Sequence, residues 1–132
     1  MAYQAGPEAE GGQLTIARDG ELAALASRLQ QLALSRGLTV GTAESCTGGL
    51  IGHTLTSVAG SSEYYRGGVI SYSNELKSSL LDVSPATLEH HGAVSAQAAV
   101  AKAEGARARL DCDYAVSVTG VALSLIHISE PT

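Results

Sequence analysis

The sequence predicts an α/β domain, a layered fold with a mixed sheet flanked by helices. Three observations carry that prediction. Short apolar runs of strand length alternate with stretches of helical periodicity. Turns bearing glycine and serine separate them. The composition, 45% hydrophobic and 16% charged, supplies a core and excludes a disordered chain. Alternating strands and helices then imply layers, and 132 residues suggest one domain.

The elements follow in order. Residues 1–18 show little periodicity and read as a flexible lead-in. Asp19 is placed to cap a helix whose apolar residues Leu22, Leu25, Ala26, Leu29, Leu32 and Ala33 share one face. Gly37 ends it. Leu38 to Ala43 reads as a buried strand that enters Glu44-Ser45-Cys46-Thr47-Gly48-Gly49, and Leu50 to Val58 is helical again. After the loop at Gly60-Ser61-Ser62 comes a second strand, Gly67 to Tyr72. Ser73 is placed to cap a short helix from Asn74 to about Leu81. Pro85 and Gly92 bracket another helical turn, and Ser95 caps an alanine-rich helix ending near Leu110. Tyr114 to Val118 is the third strand.

Composition bounds the function. With 5 Tyr and neither Phe nor Trp, the core is expected to be built from Leu, Val, Ile and Ala. A net charge of -5 argues against nucleic-acid binding. No stretch approaches the roughly 18 apolar residues of a membrane span, and residues 1–20 hold no apolar signal-peptide core. A cytoplasmic protein with Cys46 and Cys112 as free thiols is expected.

Ser45 lies where a strand feeds a helix, with Gly48 and Gly49 beyond it. A hydroxyl there can be a nucleophile, with backbone N–H groups stabilising an oxyanion. It can equally be a helix cap, and spacing alone favours the cap. A serine nucleophile needs a base. His53 falls more than two turns along the following helix, and His90 and His91 suit a helix end. No histidine spacing points to a metal. Lysine is the other option, as in Ser-Lys variants of the triad. The chain has two, Lys77 just after the second strand and Lys102 within the alanine-rich helix. Both read by themselves as surface residues. Lys77 would serve as a base only if burial or a cationic neighbour lowered its pKa. Cys46 reads as small filler or as a thiol activated beside a helix N-terminus. Glu44 reads as a residue that orients the turn or binds ribose, or as a capping or solvated carboxylate.

Thr42-Ala43-Glu44-Ser45-Cys46-Thr47-Gly48-Gly49 resembles the signature of the CinA C-terminal family. Ala59-Gly60-Ser61-Ser62 with Arg66-Gly67-Gly68-Val69-Ile70-Ser71-Tyr72-Ser73-Asn74-Glu75-Leu76-Lys77 resembles its second block, and His91-Gly92-Ala93-Val94-Ser95 and Val118-Thr119-Gly120-Val121-Ala122 resemble two more. Together the ordered blocks cover roughly residues 20–122. The resemblance implies a metal-independent amidohydrolase, without cofactor, converting nicotinamide mononucleotide to nicotinate mononucleotide and ammonia. It implies Ser45 as nucleophile, Lys77 as base and Tyr72 as a nearby hydrogen-bonding or proton-relay group. Substrate contacts fall to Glu44, Cys46, Thr47, Gly48, Gly49, Thr119 and Gly120. By the same analogy the protein forms a homodimer, with the small molecule as partner and neither nucleic acid nor membrane.

The expected organisation is a lead-in over 1–18, an amidase-like domain over 19–122 and a non-native tail over 123–132. That tail resembles a translated sequencing adaptor. The family's Thr-Gly-x-Ala segment normally continues into a Gly-Pro-Gly-Gly loop, more strands and a closing helix. Their lack here leads us to expect an inactive or poorly folded chain.

Overall fold

The computed structural model describes residues 12–120, with side chains from residue 20. Five α-helices and three strands occur among them: α1 (Gly12–Arg36), β1 (Val40–Glu44), α2 (Leu50–Thr56), β2 (Tyr65–Ile70), α3 (Asn74–Leu81), α4 (Pro85–His91), α5 (Ala96–Leu110) and β3 (Tyr114–Ser117). A single 3-10 turn, Ser61–Glu63, precedes β2.

The caps carry much of the local definition. The hydroxyls of Ser73, Ser84 and Ser95 accept from the N–H groups of Leu76, Thr87 and Ala98, fixing the starts of α3, α4 and α5. Pro85 occupies the first turn of α4, where its missing N–H costs nothing. Gly37 ends α1 at a φ of +66°, a left-handed conformation suited to glycine. The first helix begins earlier than expected. It runs from Gly12, so Asp19 lies inside it and the lead-in over 1–18 is helical from residue 12 onward. Extending an existing helix needs no new nucleus, so weak periodicity does not stop it. Residues 1–11 and the 123–132 tail lie outside the described residues.

The described sheet is wholly parallel, in the order β2-β1-β3. β1 is therefore central, and all five of its residues are buried. Alternation along a strand sends neighbouring side chains to opposite faces. On one face Ala43 joins Leu81, Val83 and Ala106 in a cluster, with Val69, Leu110 and Ala115 packed against it. This cluster fastens α3 and α5 to the sheet. On the other face Val40 joins Ala33 and Tyr64, beside Leu29 and Tyr65. Tyr64, 1% exposed, is the largest fully buried side chain among the described residues, so the core is not purely aliphatic. A ring is the bulkiest filler this chain has, in the absence of Phe and Trp.

Candidate active site

The functional reading rests on the C-terminal ends of the three strands. Ligands of open α/β sheets gather beyond such ends. The end of β1 splits two neighbouring residues between the two faces. Val40, Thr42 and Glu44 share one parity. Gly41 and Ala43 share the other, toward α5, and Ser45 opens the turn that follows the strand.

Glu44 is 2% exposed, and its carboxylate is wholly engaged. Oε1 accepts from Thr47 Oγ1 at 2.6 Å, Gly49 N at 3.0 Å and Ile51 N at 3.0 Å. Oε2 accepts from Gly52 N at 2.8 Å. The cap residue of α2, Gly49, has no side chain to do this. Glu44 thus caps α2 from the preceding strand, satisfying N–H groups a helix start leaves unpaired and placing a carboxylate at the positive end of the helix. Of the sequence readings of Glu44, the structure displays the cap.

The turn itself narrows the choice of backbone donors. Gly48 N–H donates to Ser45 O at 3.0 Å and Gly49 N–H to Glu44. Gly48 and Gly49 have φ values of +61° and +111°, which let the chain reverse there. Among the described residues, the N–H groups of Cys46 and Thr47 have no backbone partner. They are the turn's available donors beside Ser45. Thr47 lends its hydroxyl to Glu44 and lines the apolar groove between α1 and α2, about 260 Å³ with Leu22, Leu25, Leu29 and Leu50 on its walls. The groove contains neither Ser45 nor a lysine.

Ser45 is 6% exposed. At the same end of the sheet stand two buried amines. Lys77, 2% exposed, donates from Nζ to the Tyr72 carbonyl at 2.9 Å. Lys102 is completely buried and donates from Nζ to the Val118 carbonyl at 2.7 Å. Both were expected at the surface by their own sequence context, and both are interior. Burial lowers the pKa of Lys77, opposed by the charge of Cys46. Burial lowers Lys102 to about 8, helped by the charge of Lys77 and opposed by that of Cys46. Lys77, Lys102 and Cys46 are thus one electrostatic neighbourhood.

Tyr72 supplies its carbonyl to Lys77, while its own side chain is 67% exposed. Thr119 Oγ1 donates to Ala93 O at 2.6 Å, tying the end of β3 to the loop before α5. A Cβ placed on Gly120 would stand 3.2 Å from Cys46 Sγ, so Gly120 lies against the turn. His53, His90 and His91 are exposed. Cys46 and Cys112 are free thiols.

Ser71 and Lys102 escaped the sequence reading. Ser71 follows β2, donates its N–H to Glu44 O at 2.9 Å, and has a fully buried hydroxyl without a partner. Ala98, Lys102 and Ala106, four residues apart, are all buried, but alanine on nearly every side of α5 leaves that stripe unmarked in the sequence.

A small parallel sheet whose central strand runs into a serine-bearing turn, with two buried amines anchored beyond its flanking strands, defines an α/β domain. The CinA C-terminal domain family matches residues 22–124. The chain belongs to that family. A CinA-like protein of Leptospira borgpetersenii is 52% identical over 94 residues, covering 71% of this chain and 22% of that protein. A putative competence-damage inducible protein of Halothermothrix orenii is 49% identical over 98 residues, 74% of this chain and 24% of that one. The chain therefore spans about a quarter of the curated relatives it matches. Among solved structures, the competence/damage inducible protein CihA of Agrobacterium tumefaciens superposes with a TM-score of 0.75 at 46% identity, covering 76% of this chain and 61% of its own. ComA of Klebsiella pneumoniae gives 0.74 at 33%, covering 75% and 62%.

Among the described residues no three His, Cys, Asp or Glu gather where they could hold a metal. No described helix is long and apolar enough to cross a membrane.

Proposed function

We propose that this domain is an amidohydrolase that deamidates nicotinamide mononucleotide, with Ser45 as nucleophile and Lys77 as base. The observation that carries the reading is the Lys77 amine. It is buried at the strand ends where the turn carrying Ser45 lies, held by a carbonyl and not by a carboxylate, with its pKa lowered. A lysine paired with a carboxylate would hold its proton; a desolvated one can lend a free amine.

In this mechanism the Ser45 proton passes to Lys77 Nζ as Oγ bonds to the carboxamide carbon, and the carbonyl electron pair moves onto oxygen. The N–H groups of Cys46 and Thr47 are the donors for that oxyanion. Collapse breaks the C–N bond, and Lys77 returns the proton to the departing nitrogen, which leaves as ammonia. Water, deprotonated by the same amine, then cleaves the acyl-serine ester and frees the carboxylate. Thr119 and Gly120, at the end of β3, border the substrate, and Tyr72 acts through the carbonyl that holds Lys77.

The electrostatic link between Cys46 and both lysines favours one second reading, a Cys46 nucleophile. The test is ammonia release from nicotinamide mononucleotide by the domain joined to a family C-terminal segment. Ser45→Ala and Lys77→Ala are expected to lower the rate by at least about a thousandfold, and Cys46→Ser to retain most of it. Loss of activity in Cys46→Ser alone transfers the nucleophile to the thiol. No ammonia from a folded, extended domain refutes the amidase.

A further inference from the structure

The amide chemistry outlined above uses one lysine, yet the fold buries two. Lys77 comes from α3 and binds the carbonyl of Tyr72, beyond the end of β2. Lys102 comes from the middle of α5 and binds the carbonyl of Val118, beyond the end of β3. In the strand order β2-β1-β3, the two amines are thus anchored on either side of the central strand that delivers Ser45 and Cys46. Both are almost fully withdrawn from solvent. Burying one ammonium without a counter-charge is costly, and burying two side by side is more so. Such a pair relieves the cost by releasing a proton.

We propose that Lys102 is a positioning residue for the reaction: with Lys77 it forms a buried two-amine unit that shares its protons, so that the charge of one amine eases proton release from the other and lets Lys77 receive the proton of Ser45. This rests on the Ser45–Lys77 reading. The surroundings allow it. The turn after β1 contributes Cys46, and β2 and β3 contribute carbonyls and the unpartnered hydroxyl of Ser71. Glu44 is committed to α2. The carboxylates of α3, α4 and α5, Glu75, Glu89 and Glu104, are exposed, as are His90 and His91. Burial and the Lys77 charge together bring Lys102 to about 8, so the unit gives up its first proton within reach of neutral pH. Protons lost from such a unit belong to the pair and not to either side chain.

Lys77 and Lys102 are the chain's two lysines, so lysine labelled with 13C and 15N gives two side-chain signals. Their pH titration is followed in the chain itself and in its Lys102→Met, Lys102→Gln and Lys77→Met variants. The wild-type pair is expected to lose its first proton near pH 8. In the single variants the surviving amine is expected to hold its proton about tenfold more tightly than that first step, since its cationic neighbour is gone. Survivors that titrate at the wild-type first midpoint, or wild-type signals that stay protonated beyond pH 10, overturn the proposal. Lys77→Met tests the pair even if neither Lys102 variant folds. In the extended, active domain, Lys102→Met is expected to move the acid limb of kcat/KM to higher pH, which loss of packing alone would not do. If wild type releases no ammonia, the amidase reading fails, and the titration still decides whether the amines form a unit.

Discussion

Glu44→Gln is the substitution whose effect is best defined by geometry. The carboxylate accepts four hydrogen bonds of 2.6–3.0 Å inside the protein, three of them from the N–H groups of Gly49, Ile51 and Gly52. Glutamine keeps the shape and one acceptor oxygen. That oxygen can replace Oε1, but the amide nitrogen then stands where Oε2 was, facing the N–H of Gly52 donor to donor. A hydrogen bond to a charged group contributes roughly 1.5–3 kcal/mol and one between neutral groups about half that, while a buried donor left unpaired costs about 1–3 kcal/mol. These bonds share one acceptor and do not add, so the expected loss is about 2–4 kcal/mol.

The assay is urea unfolding followed by circular dichroism. With a slope of roughly 1.5 kcal/mol per molar urea, a loss near 3 kcal/mol lowers the midpoint by about 2 M at unchanged slope. Amide exchange should localise the effect, with Ile51 and Gly52 losing protection before the residues of α5. A Glu44→Gln midpoint within about 0.3 M of wild type would refute the capping argument, since it would mean the carboxylate's charge contributes nothing to α2.

Two other outcomes follow from the packing and the ionisation. Gly105→Ala would place its Cβ on the backbone carbonyl of Leu81, where α5 crosses α3; helix propensity alone predicts a gain of about 1 kcal/mol, whereas the overlap predicts a net loss of more than about 1 kcal/mol, so the sign of the shift in unfolding midpoint decides. Stability should rise as pH increases from about 8 toward 9, because Lys102 binds its proton less tightly folded than unfolded and the unfolded chain is the more protonated state in that window; at higher pH the raised pKa values of Cys112, Tyr64 and Tyr65 reverse the trend. Unfolding midpoints across pH 7–11 measure this, and Lys102→Met should flatten the rise.

The layered architecture was legible because its signals are local. Ser73 and Ser95 cap helices by reaching three residues ahead, which a sequence displays directly. The serine at the strand-to-helix turn was legible for the same reason. The two lysines were not, because their burial depends on how α3 and α5 cross the sheet. α5 offers alanine on nearly every side, so its buried stripe of Ala98, Lys102 and Ala106 is not marked by large apolar residues. Gly105 looks like a weak point in that helix until Leu81 is seen against it. Nor does sequence show that Tyr64, and not an aliphatic residue, fills the space beneath α1.

The two faces of β1 explain why a carboxylate and a serine stand side by side at its end. Glu44 looks toward α2 and holds the start of that helix, which fixes the path of the turn from Thr47 to Gly49. The same turn carries the N–H groups of Cys46 and Thr47, so the cap on one face sets the donors available to the other. Ser45, one residue on, opens that turn. A substitution at Glu44 should therefore reach the chemistry without touching substrate, by loosening the turn that aims those donors. A change at Lys102 reaches it from the opposite face, through the charge on Lys77. The central strand is where both influences meet. The segments that follow its flanking strands hold the amines' carbonyl partners, and the turn with Ser45 leaves the middle strand of the sheet and not an edge.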